Sequence, residues 1–229
     1  MVTIRYLGHS AFALEADGKQ VLVDPFLSGN QRAAAGPDEF NPSAILLTHA
    51  HGDHVGDTVD IARRTGCDVI ATYELGTYLG RQGLNAIPAN HGGTVKFDGG
   101  SVKFVPAWHT SSLEVGDEWV APGVPAGLVV RFGGATTYFA GDTCLFGDMT
   151  LIGEEGLDVA VVPIGDHFTM GPKDAVRAVG LLKPRVVIPC HYNTFPPIQQ
   201  DPEAFRHDVE EHTQADCVVL QPGQSYRVD

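Results

Sequence analysis

The sequence of 229 residues predicts a single domain of the α/β class, spanning residues 1–229. Three observations support this prediction. Short runs rich in apolar and β-branched residues recur along the chain and are bounded by Gly, Pro, Asn or Asp, which is typical of strands. Segments with helical spacing of apolar residues follow several of these runs. The length is sufficient to bury a substantial core and is still within the range of one domain.

Strands dominate the first part of the chain. The pattern predicts strands over residues 3–6, 11–15, 20–24 and 44–48, with a hairpin turn at 16–19. Helical spacing then begins after Asp53 and reaches Arg64, where Gly66 ends it. A strand over 69–71 and a helix over 74–81 follow.

Strands resume in the middle of the chain and alternate with helices at its end. The middle strands are predicted at 86–88, 94–97, 101–106, 127–132 and 136–140. The last third predicts strands at 159–163, 186–189, 218–220 and 225–228, with helices at 172–182 and 202–212. Residues 25–42 and 110–125 match neither pattern. Loops of that length are usually functional lids or disordered segments.

Composition and charge exclude several classes of protein. The 15 basic and 28 acidic residues give a net charge of -13, and no cluster of Lys and Arg could follow a phosphate backbone, so we expect no nucleic-acid partner. No apolar run approaches the roughly 20 residues that span a bilayer. No signal-peptide pattern is visible, so a cytoplasmic location is expected. The expected partner is a small-molecule substrate, and a homo-oligomer is left open.

The four cysteines do not indicate a disulfide framework or a thiolate metal site. They are widely spaced and form no Cys-x-x-Cys pair. We expect them to be buried apolar residues, although two of them lie within two residues of proposed ligands and could line a site. The cysteines are Cys67, Cys144, Cys190 and Cys217.

The strongest motif follows the apolar strand that begins at residue 44. His49, His51, Asp53 and His54 place three imidazoles and a carboxylate within six positions. With 10 His in the chain, such a pattern arises by chance roughly once in a thousand sequences of this composition. Imidazole nitrogen and carboxylate oxygen are preferred ligands of zinc and related divalent ions. The motif therefore predicts a metal site.

Three further candidate ligands each follow an apolar strand. His109, Asp142 and His191 stand just beyond predicted strands, where a rigid sheet would fix their positions. Each alone would be ambiguous, because a single histidine near a strand end is more often a hydrogen-bonded structural residue. Joined to the His-x-His-x-Asp-His motif, they complete the ligand set that a dinuclear site needs.

The order of these seven residues resembles that of the metallo-β-lactamase superfamily. The resemblance implies a four-layer αββα sandwich with two mixed β-sheets, and two divalent metal ions at one edge. Zinc is favoured, with manganese or nickel as alternatives. It implies that one ion is held by His49, His51 and His109, that the other is held by Asp53, His54 and His191, and that Asp142 bridges them.

Further motifs resemble one branch of that superfamily, the bacterial and archaeal metal-dependent hydrolases, which is similar to the ascorbate-6-phosphate lactonases. These motifs are Gly8-His9-Ser10, Asp24-Pro25-Phe26, Asn90-His91-Gly92-Gly93, Gly141-Asp142-Thr143, Pro163-Ile164-Gly165-Asp166 and His191-Tyr192-Asn193-Thr194-Phe195-Pro196. Asp24 matches a family carboxylate that supports a metal-bound histidine from outside the ligand set. Asp166 would orient a ligand in the same way or cap the helix that follows.

The resemblance implies hydrolysis of an ester, lactone or phosphodiester of a small molecule by a metal-bridging hydroxide. Asp53 would orient the hydroxide, and His91 or His9 would assist the leaving group, although either histidine could instead stabilise a turn. Two alternatives stay open. One is a mononuclear iron thiol or persulfide oxygenase on the same scaffold, and the other is a non-catalytic module that binds a small ligand.

Overall fold

A computed structural model describes residues 1–228 of the chain. The strands are β1 Thr3–Gly8, β2 Ala11–Ala16, β3 Lys19–Val23, β4 Ala44–Leu46, β5 Asp68–Thr72, β6 Ala86–Ala89, β7 Thr94–Phe97, β8 Gly100–Pro106, β9 Leu113–Val115, β10 Glu118–Val120, β11 Ala126–Phe132, β12 Ala135–Phe139, β13 Val159–Pro163, β14 Val186–Cys190, β15 Asp216–Cys217 and β16 Ser225–Arg227. The helices are α1 Gly52–Val55, α2 Thr58–Thr65, α3 Tyr73–Arg81, α4 Met149–Gly153, α5 Pro172–Leu182 and α6 Pro202–His212. Short 3₁₀ turns lie at Pro37–Glu39 and Pro196–Ile198.

Fourteen of these strands form two mixed sheets. The first sheet has the order β16-β1-β2-β3-β4-β5-β6 and the second has the order β15-β14-β13-β12-β11-β8-β7. In each sheet one half is antiparallel and the other parallel, with the change at β3 in the first and at β12 in the second. The parallel halves require crossover connections, and the helices supply most of them.

The two sheets face each other across the main apolar core. Phe12 and Leu46 of the first sheet are buried in the same cluster as Phe104, Leu128 and Ile188 of the second. These residues are less than 1% exposed, as expected for strands whose inner faces carry alternate apolar side chains.

Helices cover the outer face of each sheet. Helices α2 and α3 bury Ile61 and Leu75 against the first sheet, and α5 and α6 bury Val179 and Phe205 against the second. The result is the four-layer αββα sandwich that the resemblance implied, and that prediction is confirmed.

Most predicted elements are present, and the differences lie in short or polar segments. Residues 110–125, which matched no pattern, contain the two-stranded hairpin of β9 and β10. The strand predicted at 218–220 is wrong, because β15 consists of Asp216–Cys217 and only the Val218 backbone N–H still donates to Val187. The helical stretch predicted from beyond Asp53 to Arg64 is divided into α1 and α2, and α4 was not predicted.

Two further expectations drawn from the sequence concern the burial of the cysteines and membrane-spanning helices. Cys67, Cys190 and Cys217 are buried as expected, but Cys144 is exposed, so the prediction was wrong for that residue. Among residues 1–228, none of the helices combines the length and the apolar character needed to cross a membrane.

Candidate metal centre

The candidate ligands lie where strands of both sheets end at one edge of the sandwich. In the first sheet, the segment after β4 carries His49 and the short helix α1, which holds Asp53 and His54. In the second sheet, β8, β12 and β14 end shortly before His109, Asp142 and His191. The two edges are joined directly, because the Ala126 N–H at the start of β11 donates to the Thr48 carbonyl at 2.9 Å.

One group of ligand atoms consists of His49, His51 and His109. One nitrogen from each imidazole lies within 4.8 Å of the others. The Nε2 of His49 lies 3.0 Å from the Nδ1 of His51, and the His109 ring centroid lies 5.3 Å from that of His49 and 5.1 Å from that of His51. Three convergent imidazole nitrogens at this spacing are suited to one zinc-like ion.

A second group consists of Asp53, His54 and His191, together with His9. One ligand atom from each of these side chains lies within 4.8 Å of the others. Three of the four residues are fully buried or nearly so, with exposed fractions of 0% for His9, 0% for His54 and 2% for His191. This group is therefore the inner part of the cluster.

The Asp142 carboxylate lies between the two groups. Its Oδ1 is 3.3 Å from the Nε2 of His54, and its Oδ2 is 3.1 Å from the Nε2 of His191. On the other side, the Nε2 of His109 lies 3.5 Å from the same Oδ2. Asp142 thus contacts members of both groups, the position that a bridging ligand would occupy.

Asp24 holds two of the histidines from behind. Its Oδ2 lies 2.8 Å from the Nδ1 of His54 and accepts a hydrogen bond from the Thr48 hydroxyl at 2.6 Å. The same hydroxyl lies 3.0 Å from the Nδ1 of His49. Both imidazoles therefore have Nδ1 engaged, which leaves Nε2 directed into the cluster.

Burial and neighbouring charges set the protonation of the cluster. Burial lowers the pKa of His49 well below its usual value, and it also lowers the pKa values of His51 and His109. Burial opposes ionisation of Asp142, but His191 and His54 outweigh it and hold the pKa of that carboxyl well below its usual range. The first group thus offers neutral imidazoles and the bridging position an anion, which are the forms that bind metal.

The cluster contains buried polar atoms that face one another at short distances but form no well-directed hydrogen bonds. Among the described residues these include the Nε2 of His54, the Oδ1 of Asp142 and the Nε2 of His191. Buried polar atoms without a partner are costly and rare in proteins. Atoms of the right chemical type converge here from separate strands, so the residues present fit a pair of divalent metal ions.

His9 lies at the inner end of the cluster. Its Nε2 is 3.0 Å from the Oδ2 of Asp53, and its Nδ1 is 2.9 Å from the Oγ1 of Thr194. Its backbone adopts the left-handed conformation with φ 58°, which is uncommon for residues other than glycine. Burial lowers the pKa of His9 to about 4, against the opposing effect of the Asp53 hydrogen bond.

The structure does not bring the other two candidates into the cluster. His91 is exposed, and its Nε2 lies 2.9 Å from the Pro125 carbonyl oxygen. Asp166 is exposed in a turn with φ 65°, beside Gly171, which precedes α5. Neither residue belongs to the groups of ligand atoms found within residues 1–228. Their roles in catalysis and ligand orientation stay predictions.

Two threonines at the site were not singled out from the sequence. Thr48 immediately precedes His49, and a hydroxyl next to a ligand is a signal that could have been used. Thr194 stands three residues after His191 within a quoted motif, but its contact with His9 joins positions 185 residues apart. No local pattern could have shown that contact.

Comparison with known proteins agrees with this fold. The sequence profile of the β-lactamase superfamily domain matches residues 19–192. A UPF0173 metal-dependent hydrolase from Thermus thermophilus is 52% identical over 230 residues and covers 100% of both chains. Another from Methanopyrus kandleri is 51% identical and covers 97% of this chain and 98% of that protein. The structure of Igni18, a metallo hydrolase from the archaeon Ignicoccus hospitalis, aligns with a TM-score of 0.89 at 39% identity, over 98% of this chain and 97% of that one.

The fold and the profile match place the chain in the β-lactamase superfamily. Within that superfamily, the full-length identity shows that it belongs to the UPF0173 family of metal-dependent hydrolases.

Proposed function

We propose that the chain hydrolyses an ester, lactone or phosphodiester bond of a small molecule at a dinuclear metal centre, with zinc favoured and manganese or nickel as alternatives. The observation that supports this most is the position of Asp142. Its carboxylate oxygens lie 3.1 to 3.5 Å from nitrogens of His54, His109 and His191, which belong to two separate ligand groups. A mononuclear site would need only one of those groups.

The candidate ligands form two sets, one for each ion, with one residue shared. His49, His51 and His109 would hold one ion; Asp53, His54 and His191 would hold the other; Asp142 would be shared. When bound, two divalent ions acidify a water molecule and polarise the oxygen of the bond to be cleaved. No protein nucleophile is then needed.

Asp53 is suited to orient the attacking water. Asp53 is the more accessible of the two candidate carboxylate ligands, with a side chain 29% exposed, whereas that of Asp142 is 4% exposed. Burial raises the pKa of Asp53, but the hydrogen bond with His9 and the charge of His54 outweigh burial and keep the pKa below its usual value. An ionised carboxylate that reaches solvent can accept a hydrogen bond from water and so orient it.

The base of the hairpin β9 and β10 stands beside the cluster. The Oγ1 of Thr110 lies 3.4 Å from the Nε2 of His51, and the Ser111 hydroxyl accepts from the Ala50 N–H at 3.1 Å. The substrate would therefore meet the hairpin as it reaches the ions. Specificity for a small molecule would be set by this segment.

A substrate screen with defined metal loading tests the proposal. Lactones, phosphodiesters and thioesters are offered to zinc-, manganese- and nickel-loaded protein, and the bound metal is counted by mass spectrometry. We expect two ions per chain and turnover that a chelator abolishes. His51→Ala should remove turnover, because His51 is a half-exposed ligand whose loss need not disturb the core. His212→Ala, at the end of α6, is the matched control and should leave turnover unchanged.

Two results would overturn the proposal. One iron per chain with thiol-dependent oxygen consumption would favour the oxygenase. Tight binding of a small ligand without turnover at full metal loading would favour a binding module.

A further inference from the structure

A chain of hydrogen bonds connects the loop after β14 to the Asp53 carboxylate. The Oγ1 of Thr194 lies 2.9 Å from the Nδ1 of His9, and the Nε2 of His9 lies 3.0 Å from the Oδ2 of Asp53. The His9 side chain is 0% exposed. Thr194 and Asp53, the two ends of this chain, are each partly exposed, and the buried ring of His9 joins them. Asp53 is the end proposed to orient water.

The direction of each hydrogen bond follows from the groups involved. An ionised carboxylate only accepts hydrogen bonds, so the contact with Asp53 requires a proton on the Nε2 of His9. A neutral imidazole carries one proton, so its Nδ1 then has a free lone pair. The partner at Nδ1 must therefore donate, and the Thr194 hydroxyl can do so. Its other contact, with the Tyr192 carbonyl, is longer at 3.4 Å.

The surroundings of His9 favour the neutral ring. Phe26 and Phe195 pack edge-on against it, with ring centroids 5.9 Å and 5.3 Å away. Apolar burial disfavours the charged form of an imidazole. The ring also lies 4.1 Å, centroid to centroid, from His191, a candidate metal ligand.

The loop that carries Thr194 is fixed by its own hydrogen bonds. The Asn193 side chain accepts from the Gln200 N–H at 2.7 Å and donates to the Gln200 carbonyl at 3.0 Å. The His191 N–H in turn donates to the His9 carbonyl at 2.8 Å. These bonds hold the backbone near Thr194 in a fixed position relative to the backbone of His9.

We propose that Thr194 is a positioning residue for the metal centre: its hydroxyl donates to the Nδ1 of His9, holds that ring in the Nε2–H form, and thereby fixes the rotation of the Asp53 carboxylate. Its role in turnover rests on the proposed hydrolytic function. Its effect on His9 and on metal affinity does not rest on that function. The positioning role of Thr194 and the proposed hydrolytic function can therefore be contradicted separately.

Nuclear magnetic resonance of protein labelled with ¹⁵N-histidine tests the hydrogen-bond direction without any substrate. We expect His9, assigned by comparison with His9→Gln, to show a protonated Nε2 and an unprotonated Nδ1 in metal-free and zinc-loaded protein. Its Nε2–H proton should exchange slowly with water. A proton on Nδ1 instead would overturn the proposal, because Thr194 would then be the acceptor.

Substitution of the hydroxyl tests its consequence. Thr194→Val should speed exchange of the His9 Nε2–H proton and weaken binding of one of the two zinc ions by about tenfold, the lower end of what outer ligand partners contribute. It should also lower kcat about tenfold while KM is unchanged. Thr194→Ser keeps the hydroxyl and should restore all three quantities.

Thr58→Val is the matched control, because Thr58 is buried in α2 and its hydroxyl has no hydrogen-bond partner among the described residues. This variant should leave exchange and zinc affinity unchanged. Equal effects of Thr58→Val and Thr194→Val would overturn the proposal, as would wild-type exchange and zinc affinity in Thr194→Val. Protein that binds zinc as described but hydrolyses nothing would contradict the proposed function alone.

Discussion

The Oδ2 of Asp24 lies 2.8 Å from the Nδ1 of His54, although the two residues are 30 positions apart. Asp24 follows β3 with φ 44°, a left-handed conformation that costs energy for a residue with a side chain. That conformation directs its carboxylate, 1% exposed, at both His54 and the Thr48 hydroxyl. The strained backbone of Asp24, at the end of β3, thus orients His54, a candidate ligand carried by the segment after β4.

Replacement of this carboxylate should weaken binding of the ion held by His54 more than binding of the ion held by His49, because Asp24 contacts His54 directly and reaches His49 only through Thr48. Asp24→Asn keeps the size and tolerates the left-handed backbone, but it removes the charge that faces His54. We expect affinity for one of the two zinc ions to fall about 10- to 100-fold, with the other less affected. Competition with a chromophoric chelator measures both affinities. Asp60→Asn, at an exposed position of α2, is the control. Equal weakening of both ions in Asp24→Asn would contradict a specific link to His54.

The sequence could predict that the candidate ligands lie together because of where the polar residues stand. His191 comes directly after β14, which is buried along its whole length, and Asp142 comes three residues after β12, which is buried except at Thr136. Strands of that kind end at a sheet edge, so polar residues just beyond them can meet. The positions of these residues did not predict the two mixed sheets. That prediction came from the resemblance alone, because strand order is not visible in local patterns.

The remaining features depend on contacts that no local pattern contains. The hairpin β9 and β10 was missed because its residues are exposed or half-buried, so no alternation of apolar and polar side chains marks it. The role of His91 could not be decided from Asn90-His91-Gly92-Gly93, because the orientation of the ring depends on Pro125, 34 residues away. Likewise, His9 was ambiguous until Asp53 and Thr194 were seen on either side of its ring.

A surface ion cluster predicts a pH-dependent contribution to stability. Glu155 accepts hydrogen bonds at 2.6 Å from both Lys103 and Arg131. These two cations lower the pKa of Glu155. A carboxyl whose pKa is lower in the folded protein stabilises it above the unfolded pKa, and this contribution is lost as the pH falls.

Glu155→Gln should therefore lower the free energy of unfolding by about 1 kcal/mol or less at pH 7, since the site is accessible to solvent. The difference from wild type should shrink as the pH is lowered towards 4, and also in high salt. Urea unfolding at several pH values measures it. Glu154→Gln, at the exposed neighbouring residue, is the control. A difference that grows on acidification would contradict the assigned direction.

The cysteines should differ sharply in reactivity. Cys144 is exposed, whereas Cys190 is 4% exposed and burial raises the pKa of its thiol well above the usual value. Burial likewise raises the pKa of Cys217 to about 12 and the pKa of Cys67 above its usual value. Because the thiolate is the reactive form, buried thiols should be inert.

Titration of the native protein with a chromogenic disulfide should accordingly modify one thiol per chain rapidly. All four should react after unfolding in guanidinium. Cys144→Ser should abolish the rapid phase and leave the other three unchanged. Rapid modification of a second thiol in the native protein would show that one of the buried cysteines is accessible.

Gly141 links the fold to the candidate metal centre through a close approach of two segments of the chain. Its φ is 60°, and a Cβ at this position would lie 2.8 Å from the Cβ of Thr48. Thr48 contacts Asp24 and His49, and Asp142 follows Gly141 directly. A side chain here would therefore push apart two segments that carry ligands or hold them.

Gly141→Ala should consequently lower the free energy of unfolding by more than backbone strain alone would. Gly134 has φ 86° and open space around it, so Gly134→Ala isolates the strain, about 1–2 kcal/mol. We expect Gly141→Ala to lower the free energy of unfolding by about 1–3 kcal/mol more than that control, as overpacking does. It should also reduce zinc affinity, whereas Gly134→Ala should not. Urea unfolding of metal-free protein and zinc titration measure the two effects. Equal destabilisation by both variants, with zinc affinity retained in each, would mean that the approach of Gly141 to Thr48 has no part in holding the site.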